Sequence, residues 1–126
     1  MWFNKIIAWI MGKIYGASFH RVYFGGDNKT ANIFEVKRLI PKWASGQTIG
    51  ESIFLKPHLL EDQHILRHEY THVQQFRKLG MFFIPCYYWA SIVAAKQFGF
   101  KKVYSMNKYE IQALNATKKT LNKEKK

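Results

Sequence analysis

The chain has a single cysteine, Cys86, so no intrachain disulfide can form and zinc ribbons built on several thiolates are excluded. Acidic residues are scarce: eight Asp and Glu stand against twenty Lys and Arg, for a formal net charge of +12. The two aspartates, Asp27 and Asp62, both fall in the first half. No apolar run reaches the roughly twenty residues that cross a bilayer as a helix. The second apolar run, Met81 to Ala95, contains Pro85 and is expected to be a buried helix. Internal repeats and linker-like stretches are missing, and 126 residues suit one ordinary domain rather than two, so residues 1–126 are read as one unit.

Apolar residues make up 48% and aromatic residues 17%, enough core-forming material for a folded chain despite the charge. The basic excess would attract phosphate backbones, anionic lipid or acidic protein surfaces. Part of it is concentrated in the tail, residues 118–126, which reads as a solvated helix end, and charge alone gives no reason to expect a nucleic-acid partner. Residues 1–16 form an apolar segment expected to be a helix packed on the domain. Lys13 interrupts it and no small-residue cleavage site follows, which argues against a signal peptide. Peripheral membrane contact through Trp2, Phe3 and Trp9 is the alternative for this helix. The expected location is cytoplasmic, with membrane association as the variant.

Arg21 to Phe24 reads as a strand closed by the turn signal Gly25-Gly26-Asp27-Asn28. Asn32 to Ile40 suits a strand or a short helix equally, and Pro41 stops either. Thr48 to Lys56, rich in β-formers, is expected to be one strand ending at Pro57. A helix should start at the N-cap Asp62 and run to Leu79, with Arg77 and Lys78 in its last turn and Gly80 just beyond. A helix from about Ile84 to Phe98 and another from about Asn107 follow, giving an α+β class.

On a helical wheel, Ile65, Leu66, Val73, Phe76 and Leu79 share one arc, opposite Gln63, Arg67, Thr71, Gln74, Arg77 and Lys78. His68, Glu69 and His72 fall within the apolar arc, where unpaired titratable groups are costly. Histidines at i and i+4 stand one turn apart, so both can reach one cation at the 2.0–2.1 Å that zinc requires. Glu69, about 100° round from His68, is better placed to face a water molecule as a general base than to join the ligands. His64 is too far along the helix, about 12 Å from His72, to share the ion, and reads as helix surface or a polar group on the substrate side. His20 and His58 lie outside the motif.

The third ligand is narrowed by elimination. The position six residues after His72 is Lys78 rather than histidine, and both aspartates precede the motif. Downstream carboxylates are Glu110 and Glu124, and Glu124 lies in the Lys-rich tail. Glu110 shares a helical face with Ala113, Leu114, Thr117 and Leu121, which aims it inward, while a capping box from Asn107 to Glu110 is the competing role. Cys86, in an apolar helical run, is expected to be buried and inert.

His-Glu-x-x-His on one helix with a carboxylate on a later one resembles a minimal gluzincin-type metallopeptidase. The sequence is also similar to bacterial and phage domains whose helix reads His-Glu-x-x-His-x-x-Gln, here His68 to Gln75. The similarity runs from about Gly46 to Ala116 and takes in Arg67 to Gln75, Leu79-Gly80 and Asn107 to Ala113. It implies a small zincin-like fold in which a short sheet with an edge strand precedes the active helix and two further helices follow. It implies zinc on His68, His72 and Glu110, Glu69 as general base toward a zinc-bound water, and hydrolysis of a peptide or protein substrate. Glu51 to Leu55 would be the edge that aligns an extended peptide. Leu114 stands where larger gluzincins often place an aspartate that orients a zinc histidine, and Tyr104, Tyr109 and His58 are the candidates for an oxyanion donor. The alternative function is a catalytically silent zinc-binding or basic adaptor module at a membrane surface or nucleic acid.

Overall fold

The computed structural model describes residues 2–39 and 44–124, with side chains as far as Lys118. Pro41 and the side chains of Leu121 and Glu124, invoked above, lie outside the described set. The elements are α1 (Trp2–Tyr15), β1 (Ser18–Phe24), β2 (Thr30–Glu35), β3 (Gly46–Ile49), β4 (Ser52–Leu55), α2 (Gln63–Leu79), α3 (Phe83–Phe98) and α4 (Lys108–Glu124). The class is α+β as expected, with one four-stranded mixed sheet in the order β1-β2-β4-β3.

The sheet is buried on both faces. Along β4, Ile53 and Leu55 point to one side and pack with Ile33, Leu66, Tyr70 and Val73, so α2 covers that face. Phe54 points to the other and packs with Ala8, Tyr15 and Val36, so α1 covers the opposite face. Each such side chain stabilises the fold by about 1.5–3 kcal/mol through removal from water. In α1 the residues Asn4, Ala8 and Tyr15 are buried at spacings of four and seven, one stripe of the helix. The ambiguous segment is a strand because β2 is paired on both sides, antiparallel to β1 and parallel to β4. Those ladder bonds override a local pattern that suits a helix equally.

The single strand expected over Thr48 to Lys56 is two strands. Gly50, at φ 62°, reverses the chain in a two-residue turn, with Ile49 opposite Ser52. The segment Glu51 to Leu55 is therefore not the edge: β4 lies between β2 and β3, and β3 is the outer strand. The nine-residue β-rich run from Thr48 to Lys56 hid the turn because only one glycine interrupts it.

Helix α2 has the expected ends. Asp62 accepts from the His64 and Ile65 amides at 3.0 and 3.2 Å, and Gly80 adopts φ 59° beyond the last turn. Thr71, expected on the outer arc, is buried and donates back to the Arg67 carbonyl at 3.1 Å. The buried-helix reading of Met81 to Ala95 needs correcting as well. α3 buries Phe83, Ala90 and Ala94, while Trp89 and Ile92 are exposed at 66% and 49%. Cys86 is half-buried rather than enclosed.

Candidate metal centre

Two helices distant in sequence build the site. α2 delivers His68, Glu69 and His72, and the first turn of α4 delivers Glu110. The start of α4 is fixed by Asn107, whose Oδ1 accepts from the Tyr109 amide at 2.9 Å as an N-cap. Its Nδ2 donates to the Tyr87 carbonyl and the Ser91 hydroxyl at 3.0 and 2.9 Å, tying that turn to α3. The capping box does not form, because the Asn107 amide donates to the Tyr104 carbonyl and Glu110 turns to α2.

Glu110 places one oxygen 2.9 Å from His68 Nε2 and the other 3.0 Å from His72 Nε2. The ligand-type atoms of His68, His72 and Glu110 all lie within 4.8 Å of one another. The Tyr87 hydroxyl donates to Glu110 Oε1 at 2.8 Å. Burial disfavours the Glu110 carboxylate, but its hydrogen bonds from His68 and His72 outweigh that and hold its pKa well below the usual carboxylate range. Burial likewise disfavours charge on His72, yet the hydrogen bond to Glu110 and the nearby charges of Glu69 and Glu110 push it up to about 9. Tyr87 and Tyr104 are raised by burial first and by the Glu110 charge second, so both stay neutral phenols.

The orientation of His72 is set from behind. Gln75 Nε2 donates to Gln112 Oε1 at 2.7 Å and to the Tyr109 carbonyl at 3.1 Å, using both amide hydrogens. Its oxygen is therefore the atom that faces His72 Nδ1, 2.7 Å away. Nδ1 must donate, and Nε2 is left directed at the cluster. Leu114 has no polar group with which to orient the ring, and Gln75 holds it from its own helix.

Glu69 is 5% exposed and is held by a different element. The Thr48 hydroxyl on β3 donates to Glu69 Oε2 at 2.6 Å. Two residues earlier, a Cβ on Gly46 would lie 2.6 Å from Leu55 Cδ2 and 3.3 Å from Glu69 Oε1, so glycine leaves room for the carboxylate. In a two-residue hairpin the closing pair exchanges its backbone bonds and successive pairs alternate. Counting from Ile49 and Ser52, the N–H and C=O groups of Gly46 and Thr48 turn away from β4. Among the described residues, this outer edge of the sheet sits beside Glu69.

A cleft of about 920 Å³ brings these groups together. β3 lines one part of it and Ile84, Tyr87 and Tyr88 of α3 another, with His68, Glu69, His72 and Glu110 among its walls. Tyr104 lines it too, whereas Tyr109 and His58 do not. Tyr109 instead packs edge-on against Phe83 at 5.2 Å, and His58 is exposed on the turn Pro57–Leu59. His64 is exposed at the cleft rim, and His20 pairs with Glu61 at 3.2 Å, remote from the cluster in sequence and role.

Thr48 and Tyr87 were not singled out for these roles by the sequence, Asn107 was legible as a cap but not as a tie to α3, and Gln75 entered only as a motif letter. Gln75 had a usable signal, since a residue three after a ligand histidine shares its helical face. Thr48 had none without the hairpin register.

Fold and site together define a small α+β domain whose central helix and last helix share a His/His/carboxylate cluster beside the buried carboxylate of Glu69. The chain belongs to the eCIS core domain family, whose profile matches residues 9–80. That span holds the second half of α1, the sheet and all of α2, so residues 9–40 belong to the family unit more than the motif similarity alone implied, while Glu110 lies beyond it. No curated protein and no solved structure matches the chain.

Proposed function

We propose that the protein is a zinc-dependent peptidase in which Glu69 moves the protons. The observation that carries this reading is the convergence of His68, His72 and Glu110 within 4.8 Å, with Glu69 held beside them by Thr48. Two imidazole nitrogens and a carboxylate are a donor set suited to zinc, the outward Nδ1 of His72 is already occupied by Gln75, and Glu110 is ionised, so the residues fit the ion. Bound there, zinc supplies a Lewis acid that lowers the pKa of water and polarises a carbonyl.

The rest belongs to the chain. An extended peptide pairs with the outward backbone groups of Gly46 and Thr48, which sets its carbonyl beside Glu69. Glu69 takes a proton from the attacking water and returns it to the leaving amine. Thr48 holds the carboxylate for that transfer, and Tyr104, a neutral phenol on the cleft wall that is hydrogen-bonded to Glu110, would turn its proton to the developing oxyanion. The apolar cleft wall of Ile84 and Tyr88 favours substrates with apolar side chains.

The test is hydrolysis of mixed quenched-fluorescence peptides by zinc-loaded protein and by Glu69→Gln. The expected result is one zinc per chain in both and a loss of about a hundredfold or more in the variant. A Glu69→Gln protein as active as the parent, or a parent that retains no zinc, would overturn the peptidase reading and leave the adaptor role.

A further inference from the structure

Two helices present apolar side chains to solvent in the same region. On α1, Trp2, Ile6, Trp9 and Ile10 are exposed, with Trp2 and Trp9 at 69% and 66%. On α3 and the turn before it, Phe82, Tyr88, Trp89 and Ile92 are exposed. The two faces meet, because Phe3 and Ile7 line a shallow apolar depression together with Met81, Phe82, Ile84 and Pro85. Isolated exposed apolar residues are ordinary on a protein surface, but two adjoining helices that expose three tryptophans and several isoleucines between them are not.

Charge decides what covers this surface. Residues 1–26 and 70–109, which contain both helices, hold no Asp or Glu at all, so the eight acids of the chain lie elsewhere. The same stretches carry Lys5, Lys13, Lys78, Lys96, Lys101 and Lys102, all exposed. Lys13 Nζ lies 5.6 Å from the centre of the Trp9 ring, so cation and indole sit together. A second copy of the chain would bring like charges face to face, and a nucleic acid would leave the isoleucines against water. An apolar face studded with tryptophan, on segments whose ionised side chains are all basic, matches the boundary of an anionic bilayer, where indoles prefer the headgroup level and lysines meet the lipid charge.

We infer that α1 and the α3 face form a peripheral docking surface for anionic membranes. The chain lies on the bilayer and does not cross it. The helical run Gln63–Phe98 has a window apolar enough for a span by composition, but it is broken at Gly80, and α3 alone has 16 residues, about 24 Å against roughly 30 Å of hydrocarbon. Ile7 and Ile84 line the shallow depression and the large cleft alike, so the docked membrane lies at the cleft's rim. This inference stands independently of the peptidase reading.

The test is co-sedimentation of the full chain with phosphatidylcholine vesicles and with vesicles containing about one-quarter phosphatidylglycerol. Binding is expected to the anionic vesicles alone, with tryptophan emission quenched by brominated lipid chains. Trp9→Ala with Trp89→Ala should weaken it about tenfold or more, and Lys5→Glu with Lys13→Glu by about thirtyfold, both with unchanged far-UV circular dichroism. Absence of binding, or binding with no bromolipid quenching and no response to the tryptophan changes, would overturn the inference. A concentration-dependent dimer abolished by Trp9→Ala with Trp89→Ala, or nucleic-acid binding abolished by it, would likewise overturn it.

Discussion

The hydroxyl of Thr48 donates to Glu69 Oε2 at 2.6 Å, joining the outer strand to the helix that carries both histidines. The strand proposed to align substrate therefore also fixes the group proposed to move the protons. Replacing Thr48 with Val keeps the shape and removes the donor. A hydrogen bond to a charged group is worth about 1.5–3 kcal/mol, so kcat should fall roughly tenfold to a hundredfold with zinc content unchanged. Thr48→Ser should restore most of the activity. Equal kcat in Thr48→Val and the parent would remove Thr48 from the mechanism.

Gln75 should govern affinity for the ion rather than the chemical step. Gln75→Leu leaves His72 Nδ1 without its acceptor and frees the ring to rotate. Zinc affinity, measured by competition with a chromophoric chelator, should drop about tenfold to a hundredfold. An unchanged constant would mean that packing alone holds the His72 ring.

The zinc-free protein should have a characteristic pH profile. His72 has its pKa raised from 6.5 to about 9 on folding, so its contribution to stability is complete below 6.5 and is lost as pH rises through about 9. Glu110 is lowered from 4.5, so its contribution is complete above 4.5 and is lost as pH falls below that value. The Tm of metal-free protein should be highest between those limits and decline by several degrees toward alkaline pH. Zinc uptake near neutral pH should release protons, because His72 must give up its charge to coordinate, and calorimetry in buffers of differing ionisation enthalpy reads that release. An identical heat in every buffer would contradict the charged His72.

Gly25 has a purely steric task. A Cβ there would fall 2.0 Å from the Tyr70 ring, whose hydroxyl donates to Asp27 at 2.6 Å and accepts from Arg77 at 2.9 Å. Arg77 also reaches the Thr30 carbonyl and Glu51, so this cluster fastens the β1–β2 end of the sheet to the outer side of α2. Gly25→Ala should destabilise the fold by about 1–3 kcal/mol in urea denaturation, with an unchanged m value.

The parts of the molecule that were legible in sequence are those set by local chemistry. Asp62 and Gly80 bracket α2 because a cap and a left-handed stop act within a few residues of themselves, and the inward placement of His68, Glu69 and His72 follows from periodicity alone. Glu110 could be reached by elimination because carboxylates are so few. The hairpin at Gly50 was not legible, since one glycine in a β-rich run marks a bulge as readily as a reversal. Nor was the exposure of α3, because an apolar helix reads the same whether its outer face meets protein, lipid or water. Thr48 and Asn107 act across 21 and 16–20 residues of sequence, distances over which no local pattern speaks.

The staple at Asn107 gives the molecule a separable design. The family match ends at residue 80, and the carboxylate that completes the cluster is carried by a later helix. A core ending there would keep both histidines and Glu69 yet have only two of the three donors, too few to retain an ion firmly. On the proposed reading, the last helix is what turns a two-histidine scaffold into a three-donor site. Within the family, the residue facing the two histidines from that later helix is the position that should sort metal-loaded members from inert ones.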